Sequence, residues 1–150
     1  IQAGLWATQR NDYPVTVKTG HSIADVILSD QDELHMGGSP DVMLVLFAEG
    51  LKKEAGRIAQ LSAGARLYIN AELLPLPVET AAQIVPLDFA STRQKKEYWA
   101  IMAVAELLRR EAIYPLEAFE AAISARAEYA QKNLAALKAS EQLSANVPTP

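Results

Sequence analysis

The stretch Val42 to Phe47, with the sequence VMLVLF, constrains the fold of this chain more than any other. It is continuously apolar, and two glycines, a serine and a proline at residues 37–40 break the chain just before it. A strand without polar alternation has both faces covered, which is the environment of a parallel strand between two layers of helices. Residues 49–61 follow with apolar side chains at helical spacing. The stretch therefore indicates a β–α unit of an α/β domain.

Other segments predict the remaining elements. Residues 22–29 alternate, and Asp25 interrupts one face, so the face of Ala24, Val26 and Leu28 is the more apolar. This pattern predicts a half-buried strand that is antiparallel or near a sheet edge. The predicted strands are Leu5–Thr8, which we expect to be buried, Ser22–Ser29, Val42–Phe47, Arg66–Asn70 and Ile84–Leu87. The predicted helices are Glu49–Leu61, a short Val78–Gln83, one capped by Ser91 or Thr92 that ends at Arg110, one that begins near Pro115, and a C-terminal helix or helical hairpin through Leu137.

The order of these elements predicts a single α/β domain. We expect three layers, with a mainly parallel, Rossmann-like sheet flanked by helices. The domain is expected to span residues 1–140, and residues 141–150 to form a flexible tail. The first residues, IQAGLWA, read like a helix end passing into a strand. We therefore expect the sequence to begin partway into the domain.

Composition argues against several classes of function. The formal net charge of −4 argues against broad nucleic-acid binding, which needs an excess of Lys and Arg. The chain has no cysteine, which removes disulfides, thiolate nucleophiles and cysteine-ligated zinc or iron–sulfur centres. Two histidines far apart in sequence give no metal-binding spacing. The apolar runs are too short to span a membrane, and we expect a cytoplasmic protein without a metal site.

The segment after the first strand carries the main candidate site. Lys18, Thr19, Gly20 and His21 combine a cation, a hydroxyl and a flexible backbone, which together can hold a phosphate or carboxylate. The alternative is a plain connection between two strands. No carboxylate or nucleophile is fixed beside His21 by spacing, so no catalytic residue is predicted.

Two further places are candidates for contacts. Asn11, Asp12 and Tyr13 precede a proline in a turn cluster that could anchor a neighbouring subunit, or could only satisfy its own backbone. Asn70 ends a predicted strand, and open α/β sheets bind ligands at the carboxyl ends of their strands. We therefore expect Asn70 to be a polar contact.

Taken together, these segments resemble the gamma subunit, or the equivalent domain, of the 2-oxoacid:acceptor oxidoreductases. That family includes the pyruvate, 2-oxoglutarate, 2-oxoisovalerate and indolepyruvate ferredoxin oxidoreductases. The resemblance spans residues 4–140 and rests on the order of HSIADVILSD, SPDVMLVLFAEGLKK, AGARLYINAELLPLP, KEYWAIMAVAELL, YPLEAFEAAI and AEYAQKNLAALKAS. The chain departs from the family pattern in two places. It lacks the N-terminal glycine-rich βα unit, and residues 18–21 replace the usual arginine–glycine–glycine segment.

The resemblance implies oxidative decarboxylation of a 2-oxoacid to an acyl-coenzyme A, a reaction of anaerobic metabolism. It implies that thiamine diphosphate, Mg²⁺ and [4Fe-4S] clusters belong to partner subunits, namely thiamine-binding alpha and beta subunits and a ferredoxin-like delta subunit. This chain, inactive alone, would complete the active-site assembly and contribute to coenzyme A access. The residues expected to face substrate, coenzyme A or a partner are Asn11, Asp12, Tyr13, Lys18, Thr19, Gly20, His21 and Asn70. The alternative is a free-standing Rossmann-like module that binds a nucleotide or acyl-coenzyme A, with a homodimer left open.

Overall fold

The computed structural model describes residues 4–12, 22–31, 38–126 and 128–145. Its strands are β1 Trp6–Asp12, β2 Ile23–Ser29, β3 Val42–Val45, β4 Arg66–Asn70 and β5 Gln83–Leu87. Its helices are α1 Ala48–Ala59, α2 Phe89–Thr92, α3 Trp99–Glu111, α4 Leu116–Ser124, α5 Ala130–Ala139 and α6 Glu141–Ala145. Two short 3₁₀ helices, Ala71–Leu73 and Lys96–Tyr98, lie between these elements.

The core is a parallel sheet of β3, β4 and β5 with β4 in the middle. Side chains alternate across β4, so Leu67 and Ile69 face one apolar cluster while Tyr68 faces another. The first cluster includes Leu51 and Ile58 of α1. The second includes buried residues of α2, α3, α5 and α6, namely Phe89, Trp99, Met102, Ala136 and Leu143. Helices thus cover both faces of a parallel sheet, and the predicted three-layer α/β fold is confirmed.

Strands β1 and β2 form a separate antiparallel pair, which we call the hairpin. The antiparallel strand predicted at residues 22–29 is confirmed. The prediction of a buried first strand is wrong, because most of β1 is exposed and 51% of the surface of Trp6 is accessible. The inward face of β2 is the one that Asp25 interrupts. The more apolar face, with Val26 and Leu28, faces outward.

The predicted short helix at residues 78–83 is wrong. Residues 78–82 are irregular, and β5 begins at Gln83. The Thr80 hydroxyl donates to the Ile58 carbonyl at 2.7 Å and accepts from the Ala82 N–H at 3.3 Å. These bonds tie the segment to the end of α1 and replace the backbone bonds of a helical turn. Pro86 lies in β5, at an edge of the described sheet, where a proline is tolerated.

The predicted cap at Ser91 or Thr92 is also wrong. Both residues lie within α2, where the Asp88 carboxylate is the cap and accepts from the Ser91 N–H at 3.2 Å. The helix ends because Arg93 adopts a left-handed conformation, with φ of 56°. The long helix begins only at Trp99, after the 3₁₀ turn.

The C-terminal part is a set of three short helices. The apolar stripe of α4, which is Leu116, Phe119 and Ile123, packs with residues of α3 and α5. The predicted tail over residues 141–150 is wrong for its first five residues, because these form α6 and Leu143 is fully buried. The rest of that tail lies outside the described residues.

A buried ionic network joins α3 to the C-terminal helices. The Glu106 side chain is completely buried and accepts hydrogen bonds from Arg109 at 3.1 Å and from the Nε of Arg110. Arg109 also donates to the Leu137 carbonyl at 3.2 Å and to the Ser140 hydroxyl at 2.6 Å. Because buried charges need partners, this network fixes the position of α5 against α3.

Candidate functional site

The hairpin carries the start of the predicted site segment. Asn11 and Asp12 are the last two residues of β1, and β2 begins at Ile23. The Asn11 side chain is exposed and accepts a hydrogen bond from Gln9 at 2.7 Å. The other predicted site residues of this segment, which lie outside the described residues, are Tyr13, Lys18, Thr19, Gly20 and His21. The turn proposed for Asn11 and Asp12 is instead strand, because both pair with β2.

An ion pair between Arg57 and Asp25 joins the hairpin to α1. The two carboxylate oxygens of Asp25 are shared between two arginines, Arg10 on β1 and Arg57 on α1, each at 2.9 Å. Arg57 also donates to Glu54 at 2.8 Å. The guanidinium of Arg57 therefore bridges a carboxylate of the hairpin and a carboxylate of its own helix. We call Arg57, Asp25 and Glu54 the charge clamp.

The charge clamp borders a hollow of about 430 Å³ at the inner side of the hairpin. Its lining is Arg10, Asn11, Ile23, Asp25, Glu54 and Arg57. Two guanidinium groups and two carboxylates balance each other there. These six residues by themselves therefore provide no excess positive charge for an anionic ligand.

The arginines change the acidity of Asp25. Burial by itself raises the pKa of this carboxyl, but hydrogen bonds from Arg57 and then Arg10 stabilise the carboxylate and hold the pKa below its usual value near 3.8. A carboxyl with a lowered folded-state pKa stabilises the fold above its unfolded value. That contribution is lost as the pH falls through the folded-state pKa.

Replacing Asp25 with asparagine should therefore produce a pH-dependent loss of stability. We expect the variant to be about 1 kcal/mol less stable than wild type near neutral pH, because both ion pairs are partly exposed. The difference should stay constant down to about pH 5 and shrink below the ordinary aspartate value near 3.8. Urea unfolding of both proteins across this pH range measures it. A difference that stays constant down to about pH 3 would contradict the assignment.

Asn70 has a structural position at the end of β4. Only 3% of its surface is accessible. Its side-chain amide donates to the Leu46 carbonyl at 3.3 Å, and its side-chain oxygen accepts from the Glu72 N–H at 3.2 Å. Neither partner belongs to the hairpin. The amide thus joins the ends of β3 and β4 and caps the following 3₁₀ turn.

An aromatic stack at the carboxyl ends of the strands was missed in the sequence. Trp99 lies between Phe89, at a centroid distance of 4.8 Å, and Phe47, at 5.8 Å, with near-parallel rings. Phe47 is 46% accessible and forms the outer end of the stack. In the sequence, Phe47 is the last residue of the predicted apolar strand. Only its position directly before α1 could have distinguished it from the other residues of that strand. The Lys96 ammonium lies 5.6 Å from the centre of the Trp99 ring and makes a cation–π contact.

The cofactors implied by the resemblance can be tested against the residues of this chain. An iron–sulfur cluster requires cysteine thiolates, and the sequence has none. Among residues 4–12, 22–31, 38–126 and 128–145 there is no group of three His, Asp or Glu side chains that could hold a metal ion. The sequence therefore does not fit a cysteine-ligated iron–sulfur cluster. Nor do the helices of the described part include one that is long and apolar enough to cross a bilayer.

A parallel sheet covered by helices on both faces defines the chain as a Rossmann-like α/β domain. The family model of pyruvate ferredoxin/flavodoxin oxidoreductase matches residues 1–143, and the chain belongs to this oxidoreductase family. The family suggested by the sequence is thus confirmed. A comparison with curated proteins found no match.

Proposed function

We propose that this chain is a gamma-type component of a 2-oxoacid oxidoreductase that produces an acyl-coenzyme A. The observation that carries the proposal is the family match over residues 1–143 of a sequence without a single cysteine. A domain of this family that cannot ligate an iron–sulfur cluster needs another domain or another chain for electron transfer. Its own role is then to complete the active-site assembly of thiamine-binding alpha and beta subunits and a ferredoxin-like delta subunit.

The hairpin is the proposed surface for these partners. Its outer face carries Val26 and Leu28, which are 56% and 37% accessible. The cross-strand neighbours on this face are Gln9 and Ala7, so the face is uncharged over these two residue pairs, and Gln9 is its one polar side chain there. Exposed apolar side chains grouped on one face favour contact with another protein.

Coenzyme A access is proposed at the end of the hairpin that Asn11 and Ile23 form. Arg10 is the single cation of the two described hairpin strands, and 66% of its side chain is accessible. Its pairing with Asp25 leaves little net charge for a phosphate. A coenzyme A contact therefore depends on further cations, and Lys18 is the candidate in the sequence.

Reconstitution tests the proposal. The purified chain is mixed with thiamine-binding subunits and a ferredoxin-like delta subunit from the same source. We expect co-elution as one complex and recovery of 2-oxoacid-dependent, coenzyme A-dependent dye reduction. The proposal fails if the chain neither co-elutes with these subunits nor restores dye reduction. If the chain binds coenzyme A tightly on its own and ignores the subunits, it is a free-standing binding module.

Replacing Val26 with aspartate should weaken the complex. A carboxylate in the middle of an apolar contact must be desolvated on binding, so we expect Kd to rise at least about tenfold. The exposure of Val26 means that the fold itself should tolerate the change. Titration of the subunits against labelled wild type and variant measures the two constants.

Tyr129→Asp provides the matched control for this variant. Tyr129 is 57% accessible, similar to Val26, but it lies just before α5 and outside the hairpin. We expect its Kd to stay within about twofold of wild type. Equal weakening by the two variants would show that the hairpin face has no special part in the contact.

A further inference from the structure

The hairpin is set apart from the packed body of the domain. Three apolar clusters hold the described helices and the parallel sheet together, and no described hairpin residue belongs to any of them. The inward side chains Ile23 and Ile27 are half-buried rather than buried. Apolar packing, the main source of stability in the body, thus contributes less to the attachment of the hairpin.

A polar contact takes a large share of that attachment. The Arg57 guanidinium reaches from α1 to Asp25 at 2.9 Å, across 32 residues of sequence. Glu54, one turn earlier on the same helix, holds the other terminal nitrogen of Arg57 at 2.8 Å. Glu54 thus holds one terminal nitrogen of the guanidinium along α1, while the other terminal nitrogen donates to Asp25 of the hairpin.

The two arginines that pair with Asp25 lie on different elements of the fold. Arg10 lies directly across from Asp25 in the β1–β2 register, so this pair stabilises the hairpin internally. Arg57 is the arginine that connects the hairpin to another element. The two ion pairs share Asp25 and have the same length, but one stabilises the hairpin internally and the other attaches the hairpin to α1.

We propose that Arg57 is a positioning residue, which sets the docking angle of the β1–β2 hairpin on α1 and thereby presents the outer face of the hairpin. The docking of the hairpin on α1 is argued from the charge clamp alone. Its consequence for assembly rests on the proposed function.

The absence of cysteine makes the docking directly measurable. Ala24→Cys on the outer face of β2 and Glu117→Cys on α4, both exposed, introduce two labelling sites in an otherwise cysteine-free chain. Nitroxide labels at these positions report the hairpin-to-body distance by pulsed dipolar spectroscopy. We expect one narrow distance distribution for the labelled parent protein at low salt.

Arg57→Gln should broaden or shift this distribution. A partly exposed ion pair changes an equilibrium by about three- to fivefold, so a second, undocked population should become measurable. Salt of about 1 M, which shortens the Debye length to about 3 Å, should shift the parent protein in the same direction. The Arg57→Gln variant should respond less to that salt, because its clamp is already broken.

Two variants serve as controls. Arg10→Gln removes an ion pair to the same acid but leaves the link to α1 intact, and its distances should match those of the parent. Glu54→Gln removes the other partner of Arg57 and keeps the link to Asp25. We expect at most a small broadening for it. Circular dichroism of each variant verifies that the domain is folded.

The proposal is overturned if Arg57→Gln leaves a folded protein with the parent distribution, or if Arg10→Gln changes the distances as much. These measurements use the isolated chain, so they do not depend on any partner. If Arg57→Gln undocks the hairpin but has no effect on co-elution, the role of Arg57 in docking is supported. The assignment of the hairpin as the partner surface then fails. If the chain does not bind the subunits at all, the proposed function fails while the docking result remains.

Discussion

Replacing Glu106 with alanine is expected to lower the free energy of unfolding by about 3–5 kcal/mol. Glu106 is completely buried and its carboxylate accepts from two arginines of the same helix. Removal of the carboxylate leaves Arg109 and Arg110, whose side chains are 22% and 28% accessible, without this counter-charge. The cost comes mostly from these stranded cations and not from the intrinsic strength of the pairs.

The effect should extend beyond α3. Arg109 also donates to the Leu137 carbonyl and to the Ser140 hydroxyl, which lie at the end of α5. A displaced Arg109 therefore loosens the contact between α3 and α5. Urea unfolding measures the loss of stability. Hydrogen exchange of the variant and wild type should show that the substitution increases local opening more in α5 and α6 than in α1.

Two variants test the cause of this loss. Glu106→Gln keeps the shape and part of the hydrogen bonding while it removes the charge, so its loss should be intermediate. Glu117→Ala, on the exposed side of α4, should change stability by less than about 0.5 kcal/mol. A loss of less than about 1 kcal/mol for Glu106→Ala would contradict a network that depends on the buried carboxylate.

The sequence could not predict this network. Glu106, Arg109 and Arg110 are three charged residues at helical spacing, which is typical of the solvated side of a helix. The burial of Glu106 depends on α5 and α6, which pack on α3 from about thirty residues further along the chain. By contrast, the strand at residues 42–45 could be predicted because its burial on both faces is encoded in its own six-residue run.

The same limit applies to the candidate site. Alternation at residues 22–29 predicted the strand correctly, but it could not show which face lies inward. Asp25 faces the body because Arg57, on a helix 32 positions later, neutralises it. A single sequence does not reveal that pairing. The alternating pattern favours burial of the apolar face with Val26 and Leu28, but this face is exposed. Asn70 was correctly placed at a strand end, while its burial follows from the turn that it caps.

Replacing Trp99 with alanine is expected to lower the free energy of unfolding by about 3–5 kcal/mol as well. Trp99 is 6% accessible and stacks between Phe89 and Phe47. Its loss leaves a cavity between α3 and the β3–α1 connection, and it removes one partner from each of two ring contacts. Far-UV circular dichroism in urea is the suitable measurement, because the substitution removes one of the two tryptophan fluorophores.

Trp99→Phe separates the two contributions of this side chain. The phenyl ring preserves most of the stacking, but it cannot donate to the Gln94 carbonyl, which the indole Nε1 does at 3.2 Å. We expect a loss of about 1–2 kcal/mol, of which the unpaired carbonyl accounts for about 1 kcal/mol. Phe47→Ala should cost about 0.5–1.5 kcal/mol, because this ring is already 46% accessible. If Phe47→Ala lowers the free energy of unfolding more than Trp99→Ala does, the stability of the stack is not concentrated in its buried centre. The β3–α1 connection would then depend on the outer ring, Phe47.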